Sequence, residues 1–240
     1  ASSLDPLFRI AASVGEPMQA DRAVPAAERS ARVLRSLEEV GLGRDIALRY
    51  PDELSGGQKQ RASIARALVG LPQVIICDEA VTALDVSIRA QVLNLLRSVQ
   101  EQHGTGFIFI SHDLCTVAYM SDRIMVMYLG AVMEVATRER LFATPAHPYT
   151  YSLLSAVPAL QQGSLTRARL RLKGDPPSAM HQPSGCRFHT RCPLADDRCR
   201  REQPALRDIA PGHAVACHYA PVSEAALGVA QDAHAPEAAA

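Results

Sequence analysis

Two short runs carry residues suited to gripping an anion and to activating water. The segment LSGGQKQR, Leu54 to Arg61, sets a hydroxyl (Ser55), two residues without side chains (Gly56, Gly57) and an amide (Gln58) at the head of a stretch that reads as a helix. Unpaired N–H groups converge at a helix start and the helix dipole favours negative charge there. Glycine lets the main chain approach phosphate oxygens unhindered. Alone, Ser-Gly-Gly is equally well explained by an ordinary N-cap and a flexible turn. In VIICD followed by Glu79, Asp78 is suited to hold Mg²⁺ or its water, and Glu79 to orient and deprotonate an attacking water. Alone, that pair is two exposed acids capping a strand. His112, directly after GFIFI, is placed to touch a terminal phosphate from a neighbouring strand end, although a lone histidine is more often structural.

A different chemistry sits near the other end. Cys186, Cys192, Cys199 and Cys217 are spaced C-x5-C-x6-C-x17-C. Four thiolates have the number and softness for an iron–sulfur cluster or tetrahedral Zn²⁺, and the absence of close C-x-x-C pairs favours iron–sulfur over zinc. Two disulfides or four idle thiols are the alternatives. His189, His213 and His218 are substitute ligands. Cys77 and Cys115 read as small buried hydrophobes.

The elements that must position these residues follow from periodicity. Residues 1–21 read as irregular, punctuated by Pro6, Gly15 and Pro17. Val33, Leu34, Leu37 and Val40 define one face of a helix over Ala26–Val40, ended by Gly41. A helix starts at Ser55 and runs to Val69. The apolar run Gln73–Asp78 predicts a strand buried on both faces. Ser87 is expected to cap a long helix closed by Gly104. GFIFI predicts a second buried strand, a helix comes next near Asp113–Met120, and RIMVMYLGAVMEVA predicts a hairpin turning at Leu129-Gly130. Strand, helix, strand with polar residues at the strand ends indicates an α/β parallel sheet with a site there. Beyond Ala143 prolines break the chain into short pieces, with a helix over Tyr149–Ala156. The expected division is a core over 1–141, an extension over 142–220 and a loose tail over 221–240, with the boundary near Leu141–Pro148.

Bulk composition narrows the class. Lys plus Arg and Asp plus Glu are 25 each in 240 residues, so no overall field draws the chain to nucleic acid or acidic lipid. No apolar run approaches the roughly 20 residues that span a bilayer. The opening residues lack a secretory pattern. These features predict a protein of the cytoplasm that binds no nucleic acid.

Taken in order, SGGQ, a helix, strand-DE, Ala83-Leu84-Asp85, a helix and strand-Ser111-His112-Asp113 form one set. The chain here resembles the ATPase subunit of ABC transporters: LSGGQ is similar to the family signature, VIICDE to the Walker B strand and glutamate, TALD to the D-loop, and His112 to the switch histidine. The resemblance implies a P-loop ATPase core (a RecA-like parallel sheet with a helical subdomain) that sandwiches two ATP molecules between two heads. Ser55, Gly56, Gly57 and Gln58 would contact ATP held by the opposite head. Asp78 (with Mg²⁺), Glu79 and His112 would serve ATP on this head, and Asp85 would lie at the seam. No G-x-x-x-x-G-K-[ST] sequence occurs in the 240 residues. Ser3–Pro6 resembles the stretch just after the family's Q-loop, so the phosphate loop and first strands are expected outside this sequence, and the chain alone is expected not to hydrolyse ATP.

Ala146–Pro158 and the cysteine segment resemble the extension of oligopeptide and dipeptide importers, in which related subunits hold a [4Fe–4S] cluster. The implied function is ATP hydrolysis at the inner face of the cell membrane, powering peptide uptake. The implied partners are a second ABC head, two integral permease subunits and, indirectly, an extracytoplasmic peptide-binding protein. A non-transport ABC ATPase and a metal- or redox-sensing fragment are the other readings.

Overall fold

The computed structural model describes residues 4–19, 24–82, 84–157 and 167–229. Its contacts divide the chain into two compact units, Ala1–His112 and Asp113–Ala240.

In the first unit, α1 (Ile10–Gly15) leads through a short 3-10 turn, Glu16–Gln19, to α2 (Ala26–Glu39). Then come α3 (Gly56–Leu68), β1 (Val74–Asp78), α4 (Val86–His103) and β2 (Gly106–Ile110). The stretch expected to be irregular thus contains a helix. Ile10, Ser13 and Val14 are buried at i, i+3 and i+4, and the Ile10 N–H donates to the Arg49 carbonyl at 2.9 Å. Pro17 falls only after that helix has ended, so it obstructs nothing. In α2, Val33 and Leu37 point inward as the periodicity predicts. The N-cap of α4 is Asp85 rather than Ser87. The Asp85 carbonyl already accepts the Arg89 N–H at 2.8 Å, so the helical ladder begins two residues earlier. Gly104 closes α4 in the left-handed conformation, φ 65°.

Strands β1 and β2 pair in parallel from Val74↔Gly106 to Asp78↔Ile110. They are not buried on both faces. Ile75 and Cys77 face the core, while Val74, Ile76, Ile108 and Ile110 are about half or more exposed. Helices of this unit cover one face only, so the apolar run that a doubly covered strand needs is here half open.

The second unit starts with α5 (Leu114–Met120), capped by the Asp113 carboxylate, which accepts the Cys115 and Thr116 N–H groups. The hairpin is as predicted: β3 (Arg123–Tyr128) and β4 (Ala131–Thr137) are antiparallel about Leu129 (φ 46°) and Gly130 (φ 75°). After α6 (Arg138–Ala143), α7 (Pro148–Ser155) and α8 (Asp197–Arg201), β5 (Arg207–Ala210) and β6 (His213–Val215) return to the same sheet in the order β3-β4-β6-β5. One core cluster joins Val117, Ile124, Val126, Ala136 and Leu141; another joins Tyr128, Met133, Cys186, Phe188 and Cys199. Of the stretch expected as a tail, Leu227 is buried and the Val222 N–H donates to the Ala146 carbonyl; residues 230–240 lie outside the described residues.

Candidate active site

The in-register parallel pairing decides the geometry at the strand ends. Because Asp78 lies opposite Ile110, the residues after each strand emerge side by side. The Glu79 N–H extends the pairing by donating to the Ile110 carbonyl at 3.0 Å. The Glu79 backbone then turns into the left-handed region, φ 48°, where a non-glycine residue is strained. That turn aims its carboxylate at His112: Nδ1 and Oε1 are 3.0 Å apart. A carboxylate only accepts, so Nδ1 carries the proton and Nε2 faces away, donor or acceptor according to protonation. Both side chains are more than half exposed, as befits groups that act on a ligand rather than on the core. Asp78 is exposed beside them.

At Ser55 the sequence-predicted cap is reciprocal. The Ser55 Oγ accepts the Gln58 N–H at 3.3 Å, and the Gln58 Oε1 accepts the Ser55 N–H at 3.0 Å. The box consumes one acceptor on each side chain and leaves the donors: the Ser55 O–H and the Gln58 NH₂ remain for an anion at the helix start. The two glycines differ. Gly56 has open space where a Cβ would stand, whereas a Cβ on Gly57 would meet the Ile88 Cγ2 at 2.9 Å. Gly56 leaves room for a close approach, and at Gly57 the packing against α4 also requires that no side chain be present. Asp85 is exposed at the start of α4; its neighbour Ala83 lies outside the described residues. Among the described residues, no hydrogen bond joins the Ser55–Gln58 group to Glu79 or His112. The arrangement offers two separate half-sites: an anion-accepting helix start, and a carboxylate–imidazole pair at the sheet edge.

The four late cysteines are all thiols, with Cys186, Cys199 and Cys217 buried and Cys192 half-buried; no disulfide joins them. Burial pushes the Cys192 thiol up to about 12, and the nearby Cys217, Cys186 and Cys199 thiols push it the same way. Burial also raises Cys186, Cys199 and Cys217, and others of the four add to the rise at Cys199 and Cys217. The thiols thus share one neighbourhood, but among the described residues no three Cys, His, Asp or Glu donors converge as a metal requires. The proposed substitutes are engaged elsewhere. His213 Nε2 donates to Glu134 at 2.7 Å, His189 Nδ1 to the Cys186 carbonyl at 2.9 Å and His218 Nε2 to the Glu202 carbonyl at 3.1 Å. Cys115, expected buried, is exposed on the outer side of α5, and Cys77 is buried as expected.

The spacing of motifs on this parallel α/β unit defines an ABC-type ATP-binding protein. A profile of the ABC transporter family matches residues 3–82, and one of the oligopeptide/dipeptide transporter C-terminal region matches residues 133–199. The chain is 47% identical over 218 residues to the oligopeptide transport ATP-binding protein AppF of Bacillus subtilis (strain 168), covering 90% of this chain and 66% of that protein. To a putative peptide import ATP-binding protein of Brucella ovis it is 48% identical over 216 residues, covering 90% and 68%. To the dipeptide transport ATP-binding protein DppF of Haemophilus influenzae it is 45% identical, covering 91% and 66%. Among solved structures, the dimeric ATP-binding cassette MJ0796, in a post-hydrolysis state bound to ADP and Pi, superposes with a TM-score of 0.50 at 31% identity, over 56% of this chain and 59% of that one. The chain belongs to the family of ATP-binding proteins of oligopeptide and dipeptide ABC transporters. It spans 61% to 68% of the length of such relatives.

Proposed function

We propose that this chain supplies the signature, general base and switch residues of an ATPase that powers uptake of oligopeptides or dipeptides through membrane permeases. The observation that carries the reading is the Glu79–His112 contact of 3.0 Å, held on a strained Glu79 backbone at the edge of a parallel sheet. In this role Glu79 takes the proton from a water aligned on the terminal phosphate, and His112 holds the Glu79 carboxylate while Nε2 meets a phosphate oxygen. Asp78, an exposed carboxylate at the strand end, would hold Mg²⁺, which neutralises phosphate charge when bound. Ser55, Gly56, Gly57 and Gln58 present donors to ATP on a second, opposing head, with Asp85 at the seam; the dimeric state of the MJ0796 neighbour supports pairing. The phosphate loop would come from polypeptide outside these 240 residues. The open apolar face of β1 and β2 and the greater length of the relatives support that.

Among the described residues no helix is long and apolar enough to cross a membrane. The inner-face location is inferred from the importer relatives, whose ATP-binding proteins serve membrane transport. The test is Glu79→Gln in the complete protein with its permeases. ATP hydrolysis falls by about 10²–10⁴-fold while ATP binding persists; retained hydrolysis would remove Glu79 from the role.

A second layer rests on the resemblance of the extension. Four thiols share one neighbourhood in the extension over 142–220, though they do not converge as a metal site among the described residues, and the sequence resemblance alone supports a soft centre there, [4Fe–4S] or zinc. Iron and sulfide content with visible absorbance in anaerobically purified protein tests this; a metal-free protein with four titratable thiols would dismiss it.

A further inference from the structure

We infer that Arg61 is a positioning residue for the signature: it clasps α3 to both α2 and α4, and with the Gly57–Ile88 contact it makes Ser55–Gln58 and Asp85 move as one body. The inference rests on the proposed ATPase reading. Arg61 lies a little over one turn beyond Gly57 on α3, on the same side of the helix. Its Nη1 donates to the Val40 carbonyl at 2.8 Å and its Nη2 to the Gln91 Oε1 at 3.1 Å. The Val40 carbonyl is one of those a helix leaves unpaired at its C-terminus, here that of α2. The guanidinium also fills space that a side chain would take: a Cβ on Gly41, whose φ is +73°, would stand 2.9 Å from Nη1. On the α4 side, Ile88 and Gln91 are three residues apart and form one ridge. Gly57 admits the Ile88 methyl at 2.9 Å from where its own Cβ would be. Two glycines and one planar fork therefore fix the three helices together. Ser55 is two residues from Gly57, and Asp85 three from Ile88. Any tilt of the signature helix displaces the start of α4 with it, because a β-branched methyl and a two-pronged cation cannot slide independently.

The test uses the complete protein with its permeases, with MgATP as the probe. Arg61→Ala and Gly57→Ala each lower kcat by about 10-fold to 100-fold, as expected of misplacing a positioned group. Binding of a fluorescent ATP analogue to the head's own site stays as in the parent. Arg61→Lys keeps one of the two bonds and falls between. Adding Ile88→Ala to Gly57→Ala removes the opposing methyl and restores most of the turnover. Parental turnover in Arg61→Ala, or no rescue by Ile88→Ala, overturns the clasp. If Arg61→Ala does not fold, Arg61→Lys and the rescue pair still decide. If the parent itself hydrolyses no ATP, the ATPase reading fails separately. The clasp is then judged on melting temperature, where Gly57→Ala and Ile88→Ala must compensate; independent effects refute it.

Discussion

Polar side chains are used in opposite ways by the two units. In the first, the chemistry-bearing groups sit at element ends, exposed, with spare donors and acceptors: Glu79 and His112 touch each other, and Ser55 and Gln58 keep their donors free. In the second, the most elaborate polar group is sealed. Glu134 is 0% exposed and accepts three donors: the Ala146 N–H at 2.8 Å, the His147 N–H at 2.9 Å and His213 Nε2 at 2.7 Å. It ties β4 to the start of α7 and to β6. A carboxylate with its lone pairs satisfied internally stabilises a fold; one with them unspent handles a ligand.

The contrast breaks most readily at Glu134. Glu134→Ala strands two backbone N–H groups and a buried imidazole, and is expected to cost about 3–5 kcal/mol of stability. A urea midpoint near the parent's would show the network to be idle. Next in size is Gly185→Ala. Gly185 has φ +64°, and a Cβ there would stand 2.4 Å from the Cys199 carbonyl oxygen, where the Cys186 N–H is already bound at 2.8 Å. Left-handed strain and the backbone clash together cost about 2 kcal/mol or more, and loosen the approach of Cys186 to Cys199. Unchanged melting would mean the loop yields freely.

A pH-dependent effect, with a sign fixed by burial, comes from His147. It is 1% exposed, and burial lowers its pKa to about 3; Nδ1 accepts the Tyr149 N–H at 3.0 Å as the cap of α7. The folded state therefore excludes a proton that the unfolded chain takes up near pH 6.5. Above that pH nothing is lost. Below it, down to about 3, stability falls by up to about 1.4 kcal/mol per pH unit from this group. His147→Asn, which keeps a capping acceptor without a titrating ring, should flatten the melting profile between pH 6 and 4. A slope as steep as the parent's would assign the acid sensitivity elsewhere.

How much of this was legible in the residues alone depended on range. The helices over α2, α3 and α4, both parallel strands and the hairpin at Leu129-Gly130 follow from local periodicity and punctuation. Asp78, Glu79 and His112 stood out because they end apolar runs. Their contact did not, since it requires the register Asp78↔Ile110. Strands β5 and β6 are too short to show alternation, and Glu134 and His213 meet across 79 residues of chain. The one signal was a glutamate inside the apolar VMEVA, a polar residue that a half-buried strand needs to explain. Arg61 hid inside the signature itself, where serine and the glycines drew the reading to phosphate or to a helix cap.

The smallest effect tests whether the first unit stores strain at its site. The left-handed backbone of Glu79 costs about 1–2 kcal/mol relative to glycine, while glycine's greater freedom in the unfolded chain returns about 1. Glu79→Gly should therefore be more stable than Glu79→Gln by a few tenths to about 1 kcal/mol, although both remove the proposed general base. The side chain is more than half exposed, so loss of its contact with His112 contributes little to stability in either variant. If Glu79→Gly unfolds at lower urea than Glu79→Gln, the turn is unstrained, and aiming the carboxylate takes nothing from the stability of the fold.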